Sequence, residues 1–404
     1  MPSPLSDRTI ALVKATAPAL ETHGLAVTRR MYDLMFRNAA IRDLFNQSHH
    51  GEAGSQPRAL AGAILAYAQN IDRLEVLAPM VERIAQKHAG LNILPEHYPH
   101  VAEALLGAVG DVLGEAATPE ILAAWGEAYW FLAELLIGRE AQIYREMAAA
   151  RGGWNGWRDF RVEERVRESE IISSFILRPA DGGPVMRHRP GQYLTFWLEL
   201  PGQHPLKRNY SISSAPDDAA YRISVKREPR GAASNWLHDQ AGPGTVLKVA
   251  PPAGDFTLPE RPERPVVLLS GGVGLTPTVS MLETIAAQHP ELPTYYVHGT
   301  LNGATHAMGA RVRALAAARP NITATTFYAE PRTEDLHRLD YDEAGFITPD
   351  WLRRHTPLDQ ADYYLCGPRP FLRALVSGLV QAGVPADRVH YEFFGPADEL
   401  LAAA

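Results

Sequence analysis

A chain of 404 residues is too long for one ordinary hydrophobic core, and two or three domains are the natural division. A formal charge of −7 and a pI near 6.1 give no overall electrostatic reason to bind nucleic acid or an anionic membrane, while 46% hydrophobic residues are ample for burial. The single cysteine, Cys366, excludes an intrachain disulfide framework and a cysteine cluster for iron–sulfur or structural zinc. Asp7, Arg8 and Lys14 are scattered through the N-terminal segment, which therefore does not read as a secretory leader. No run of roughly eighteen uncharged apolar residues is present to span a bilayer, and the expected compartment is the cytoplasm.

From Ser6 to about Met147 apolar residues recur at helical spacing, which predicts an all-α domain over residues 1–150. Leu77, Val81, Ile84 and His88 step by four, three and four along one stripe, and Gln56, Leu60, Ile64, Tyr67 and Ile71 trace another. Pro95 opens a further helix that carries His97, Tyr98 and His100. Helical periodicity then stops at the Gly- and Trp-rich ARGGWNGWRDF, 150–160, where a linker is expected.

Short alternating strands follow. Leu194, Phe196, Leu198 and Leu200 share one side of a strand, and Tyr221, Ile223 and Val225 alternate with Arg222, Ser224 and Lys226. A small β-barrel over 151–260 is the best account. From Pro265 the rhythm becomes strand, glycine loop and helix, repeated in PTYYVHGT and ADYYLCGPRPFLRALVSGL, so 261–404 reads as a doubly wound parallel α/β domain.

Six short strings carry chemistry. In RPGQY, Gln192 and Tyr193 precede RNYSISS, where Arg208, Tyr210 and Ser211 follow an Arg-x-Tyr-Ser pattern. In GAASNWLHD, Ser234 and Asn235 stand at a helix start, where unpaired N–H groups favour phosphate. SGGVGLTP sets Gly271, Gly272 and Gly274 between a strand and a helix with Thr276 and Pro277 in its first turn, a geometry that lets backbone approach a pyrophosphate. YLCGPRPF supplies Cys366, Gly367 and Pro368, and YEFFGP supplies Glu392 and Phe394. Among fifteen histidines, His88 is marked by its helical register, with His97 and His100 as competing ligands that read as more exposed. On the residues alone, Glu140 is a solvated carboxylate beside Arg139.

The chain resembles the flavohaemoglobins over nearly its whole length, a globin fused to a ferredoxin-reductase-type module. The resemblance implies haem b held through iron by His88, with Tyr98 and Glu140 behind the imidazole, Tyr32, Gln56 and Leu60 facing the ligand, and Phe45 against the porphyrin. Pro57 directly after Gln56 leaves the aim of that amide open. It further implies FAD, with Arg208 on the flavin phosphates, Tyr210 stacked on the ring, Ser211 near the nitrogen that receives hydride, Phe394 as a cover and Glu392 beside the flavin–haem gap. Cys366 would lie near the nicotinamide as a packing residue. The implied activity is that of a nitric oxide dioxygenase: NAD(P)H reduces FAD, FAD reduces the haem one electron at a time, and dioxygen with nitric oxide gives nitrate. A lipid hydroperoxide reductase and a haem-based gas or redox sensor are the alternatives. No Arg or Lys cluster follows PTYYVHGT, which favours NADH over NADPH, with Arg332 the cation that folding could bring near. The partners expected are small molecules, NO, O2 and NAD(P)H, acting on a monomer.

Overall fold

The computed structural model describes residues 4–44 and 55–395. They form two compact units: one runs to Ala149 and takes in Glu199–Lys207, the other comprises Ala150–Leu198 and Arg208–Gly395.

The first unit is helical, with α1 (Asp7–Ala15), α2 (Ala17–Met35), α3 (Ala39–Arg42), α4 (Ser55–Asn70), α5 (Ala78–Gly90), α6 (Tyr98–Leu113) and α7 (Pro119–Ala149). Local sequence sets the starts. The Ser6 hydroxyl accepts the Thr9 N–H at 3.1 Å to cap α1, Asn38 caps α3, and Pro18, Pro79 and Pro99 sit in first turns where no N–H is needed. Val27, Met31, Tyr32 and Met35 of α2 pack on Ala104, Leu105, Ala108 and Val109 of α6, whose small residues allow close approach. The Thr28 hydroxyl donates to the Pro57 carbonyl at 2.8 Å, tying the first turn of α4 to α2 one turn before Tyr32. Within the same unit, the buried Lys207 ammonium donates to the Leu91 carbonyl, the residue that ends α5, at 3.3 Å. Burial lowers the Lys207 pKa to about 8.

Among the described helices, α7 alone is long and apolar enough to cross a membrane. Its Trp125 and Ala128 pack with Val13 and Tyr67, and its Ala133, Leu136 and Ile143 are also buried, as in the core helix of a globular domain.

The second unit opens with β1 (Arg158–Arg167), β2 (Ile172–Pro179), β3 (Tyr193–Leu198), β4 (Leu206–Ser211, of which Arg208–Ser211 belong to this unit), β5 (Tyr221–Lys226), α8 (Ala232–Gln240) and β6 (Val246–Val249). The strands form an antiparallel sheet in the order β4-β3-β6-β1-β2-β5. An Ile212–Ile223 bridge brings the end of β4 to β5, closing the sheet on itself. Leu194, Phe196, Leu198 and Leu200 are all buried, as the alternation predicts. β5 departs from it: Arg222 and Ser224 are buried too, the arginine against Glu283 on a helix of the next domain and the serine between the Ser174 and Ser213 hydroxyls.

The remainder comprises β7 (Val266–Gly271), α9 (Leu275–Gln288), β8 (Thr294–Thr300), α10 (Gly309–Ala318), β9 (Ile322–Tyr328), β10 (Glu343–Ala344), α11 (Pro349–His355), β11 (Asp362–Cys366), α12 (Arg369–Gln381) and β12 (Val389–Glu392). Its six strands are parallel in the order β10-β9-β8-β7-β11-β12. Val266–Leu269 are fully buried, the continuous apolar run of a strand covered on both faces. The winding reverses beside β7, and the crevice at such a reversal, beyond the strand ends, is where these sheets bind ligands.

Candidate active site

In the helical unit, His88 stands at the last turn of α5. Its Nδ1 lies 2.7 Å from Glu140 Oε1 and 3.1 Å from the Tyr98 hydroxyl, which itself donates to Glu140 Oε1 at 2.6 Å. A carboxylate only accepts, so Nδ1 carries the proton and Nε2 presents its lone pair. Nε2 has no partner among the described residues. Burial, with the adjacent Glu140 carboxylate, pushes the Tyr98 phenol well above its ordinary range and keeps it a donor. Glu140 is buried, and Arg139 turns away from it to pair with Glu82 at 2.7 Å. The isolated surface carboxylate of the bare sequence is therefore excluded. Tyr98 is held in turn by the Tyr129 hydroxyl on its carbonyl at 2.7 Å.

The stripe running to His88 is less covered than its periodicity predicts. Ala85, Gln86, Ala89 and Gly90 are the buried residues of α5, whereas Val81, Ile84 and His88 are half-buried. An apolar, half-open face around an imidazole whose outer nitrogen is available fits a flat macrocycle carrying a metal. Among the described residues no group of three or more His, Cys, Asp or Glu could hold a metal ion, so an iron at His88 would draw its other ligands from such a macrocycle. His97 is committed elsewhere, its Nδ1 accepting the Leu94 N–H at 2.9 Å, and His100 is exposed.

Tyr32 and Leu60 share one apolar cluster with Leu44 and Ile64. Burial raises the Tyr32 phenol far above its ordinary pKa, so it stays protonated and can donate. Gln56 lies in the first turn of α4, its side chain outside the described residues, and Phe45 is outside them altogether.

In the second unit, Arg208, Tyr210 and Ser211 share β4. Burial shifts the Arg208 guanidinium downward and Tyr210 upward, as for groups held out of bulk water. The Phe196 ring on β3 meets Tyr210 edge-on at 5.6 Å. The Gln192 carbonyl accepts the Ile212 N–H at 2.9 Å, so the Gln192–Tyr193 and Arg208–Ser211 segments lie side by side. Ser234 and Asn235 turn inward: the serine hydroxyl accepts the Glu228 N–H at 3.1 Å, and the asparagine amide donates to the Glu228 and Gly231 carbonyls at 2.9 Å. They shape the Glu228–Gly231 loop at the start of α8.

At the switch point, the loop after β7 packs on the loop after β11. A Cβ on Gly274 would overlap the Cys366 carbonyl, and one on Gly271 would come within 2.9 Å of Pro368. Gly272 differs, with φ +54° and open space around it. Thr276 is buried and donates to the Val273 carbonyl at 3.1 Å, bracing the turn ahead of Pro277. Cys366 is fully buried, and burial, followed by the charge of Glu392, pushes its thiol well up, which is no setting for a nucleophile. Gly367 backs onto Phe371. Glu392 pairs in register with Cys366 across β11 and β12, and its charge also raises Tyr193, behind burial. Phe394 is about half exposed, at 48%. Arg332 pairs with Glu334 at 3.0 Å and Glu170 at 3.8 Å.

The flavohemoprotein of Xylella fastidiosa (strain 9a5c) is 56% identical over 403 residues, covering 100% of both chains. The chain belongs to the flavohaemoprotein family. Family models match in the order expected of flavohaemoproteins: globin over 29–134, oxidoreductase FAD-binding domain over 159–258 and oxidoreductase NAD-binding domain over 268–377. The crystal structure of the flavohemoglobin from Malassezia yamatoensis with bound FAD and heme superposes with a TM-score of 0.86 at 27% identity, covering 97% of this flavohaemoprotein and 100% of that chain. The flavohem-like FAD/NAD-binding domain of nitric oxide dioxygenase from Vibrio cholerae gives a TM-score of 0.54 at 36% identity, over 59% of this chain and 99% of that one.

Three groups escaped the sequence reading. Tyr129, which holds Tyr98, and the Arg139–Glu82 pair, which leaves Glu140 to the histidine, are joined to the site only by tertiary contacts. Ser280 and Glu283 of α9 likewise reach Ser214 and Ala215 only through the tertiary fold.

Proposed function

We propose that this flavohaemoprotein is a nitric oxide dioxygenase working through haem b, FAD and a nicotinamide dinucleotide, in three parts spanning 1–150, 151–260 and 261–404. The groups once bound would supply hydride acceptance, single-electron transfer and, at iron, the joining of dioxygen with nitric oxide into nitrate. The observation that carries the reading is the buried Glu140–Tyr98 pair on His88 Nδ1. A carboxylate holding that proton makes Nε2 strongly electron-donating, which suits oxygen activation better than reversible carriage.

The chain's own residues divide the work. His88 would ligate the iron, and Tyr32 and Gln56 would donate to a partly negative oxygen ligand, with Leu60 keeping that side apolar. Arg208 would hold the flavin phosphates and Tyr210 would lie on the ring, with Ser211 near the hydride-accepting nitrogen; Gln192, Tyr193 and Phe394 would complete the enclosure. The N–H groups at the start of α8, shaped by Ser234 and Asn235, would meet phosphate, and Gly272 would open the α9 turn to the dinucleotide. Two carboxylates on Arg332 leave it poorly placed to welcome a 2′-phosphate, which favours NADH. An acidic chain with one buried cysteine suits a reducing cytoplasm and a monomer, to be checked by fractionation and sedimentation.

The decisive experiment follows NO consumption by the purified protein with NADH and oxygen. Stoichiometric nitrate, with kcat/KM higher for NADH than for NADPH, is the expected result. Slow NO turnover beside fast reduction of a lipid hydroperoxide would overturn it.

A further inference from the structure

Helix α9 starts at the glycine loop, and two turns along it one face reaches across to the flavin motif. Ser280 and Glu283, three residues apart and so on one face, grip a single peptide unit. The Ser280 hydroxyl donates to the Ser214 carbonyl at 2.6 Å, and the Ala215 N–H donates to Glu283 Oε2 at 3.0 Å. The other oxygen, Oε1, accepts from Arg222 Nη2 at 2.8 Å and from Arg311 Nε. Arg222 also donates to the carbonyl of Ser213 and, from Nε, to the Ser213 hydroxyl at 3.2 Å. Three consecutive residues, the Ser213 and Ser214 that close RNYSISS and the Ala215 that follows, are thus fixed, Ser214 and Ala215 directly by α9 and Ser213 through the arginine that α9 holds. Arg222 and Glu283 are each under a tenth exposed, and Ser280 is fully buried.

We infer that Glu283, assisted by Ser280, is a positioning residue for hydride transfer: it sets the register of the flavin motif against the helix that carries the nicotinamide loop. The inference rests on the flavin and nicotinamide assignments above. For mere cohesion a buried ion pair is a poor choice, since well-packed apolar side chains hold two surfaces at least as firmly. A carboxylate that takes a backbone N–H on one oxygen and two guanidinium groups on the other adds direction. Glu283 is about 12 Å along the helix from Leu275, close enough for a rigid rod to transmit a small error in the grip. Transfer between bound rings falls steeply with misplacement, by about a hundredfold for 1 Å.

The test is anaerobic stopped-flow reduction of the flavin by NADH in the full-length holoprotein, comparing Glu283→Ala and the milder Ser280→Ala with the unaltered chain. Glu283→Ala should lower the limiting rate by about ten- to a hundredfold, with the NADH concentration at half-maximal rate little changed, FAD content intact and a larger isotope effect with NADH deuterated at the transferred position. Ser280→Ala, which leaves the Glu283 contacts in place, should show the same signature at a severalfold loss. A wild-type limiting rate in both variants, or a loss that only tracks missing FAD, overturns the positioning role alone. Failure of NADH or NADPH to reduce the flavin of the unaltered protein overturns the site assignments and the positioning role together.

Discussion

As the proposed iron ligand, His88 shows how little of a ligand's character would lie in the ligand itself. Its helix register is legible from Leu77, Val81 and Ile84, but its basicity is set by Glu140, which is 52 positions away and sits beside Arg139 in the sequence. Replacing His88 by Ala should abolish stable haem binding while FAD is retained, measured by the two absorption bands; a normal haem spectrum would remove His88 from the ligand role. Glu140→Gln should keep the haem but weaken the pull on Nδ1, lowering the iron–histidine stretching frequency in resonance Raman spectra. An unshifted band would mean the carboxylate does not tune the ligand. On the opposite side, Tyr32→Phe should speed oxygen dissociation by about ten- to a hundredfold, the loss of one hydrogen bond to a partly charged atom at about 1.5–3 kcal/mol. Flash photolysis gives the rate, and no change would place the phenol elsewhere.

The β7–α9 turn separates two reasons for glycine that look identical in SGGVGLTP. All three glycines read as room for a pyrophosphate, yet Gly274 is required by the Cys366 carbonyl behind it, while Gly272 faces open space. Gly274→Ala should therefore cost about 1–3 kcal/mol of stability through a forced shift of one loop against the other. Gly272→Ala should cost about 1 kcal/mol from its positive φ alone, yet impair NADH use more through lost access. Thermal unfolding set beside NADH kinetics distinguishes them, and NADH use impaired no more by Gly272→Ala than by Gly274→Ala would reject the distinction. The element boundaries were legible because hydrophobic period, proline and glycine are local signals. The inward face of Arg222 was not: a strand alternating with polar residues looks half-solvated, and only the arrival of α9 makes that face an interior.

Beside Ser280 and the Ser214 carbonyl, His188 is a fully enclosed group. Its Nε2 donates to the Ser214 carbonyl at 3.0 Å, and burial lowers its pKa to about 4. The folded state thus refuses a proton that the unfolded chain accepts near pH 6.5. Stability should be at its plateau above about pH 6.5 and fall as pH drops toward 4, with the unfolded state binding the extra proton. In denaturant titrations of the full chain, His188→Gln should flatten that slope, and an unaltered slope would assign it to other groups.

For the molecule as a whole, the test of divided labour is the double change Arg208→Ala with Ser211→Ala. FAD occupancy and NADH-driven haem reduction should fall together. After chemical reduction, the haem unit should still convert one equivalent of nitric oxide to nitrate, since Tyr32, Leu60, His88, Tyr98 and Glu140 all lie before Ala149. Loss of that single turnover with haem intact would show that the reductase shapes the pocket itself.

The chain leaves the helical unit at Ala149 and returns to it for Glu199–Lys207, where Lys207 closes on the Leu91 carbonyl at the end of the His88 helix. The helical unit is therefore discontinuous in sequence. A fragment expressed only to the linker would lose that return segment and leave the Leu91 carbonyl without the Lys207 ammonium. Grafting the first 150 residues of one relative onto the reductase of another would join a helix end to a lysine-bearing loop that did not evolve with it. Recombination among such proteins should favour crossovers that carry the return segment along with the globin.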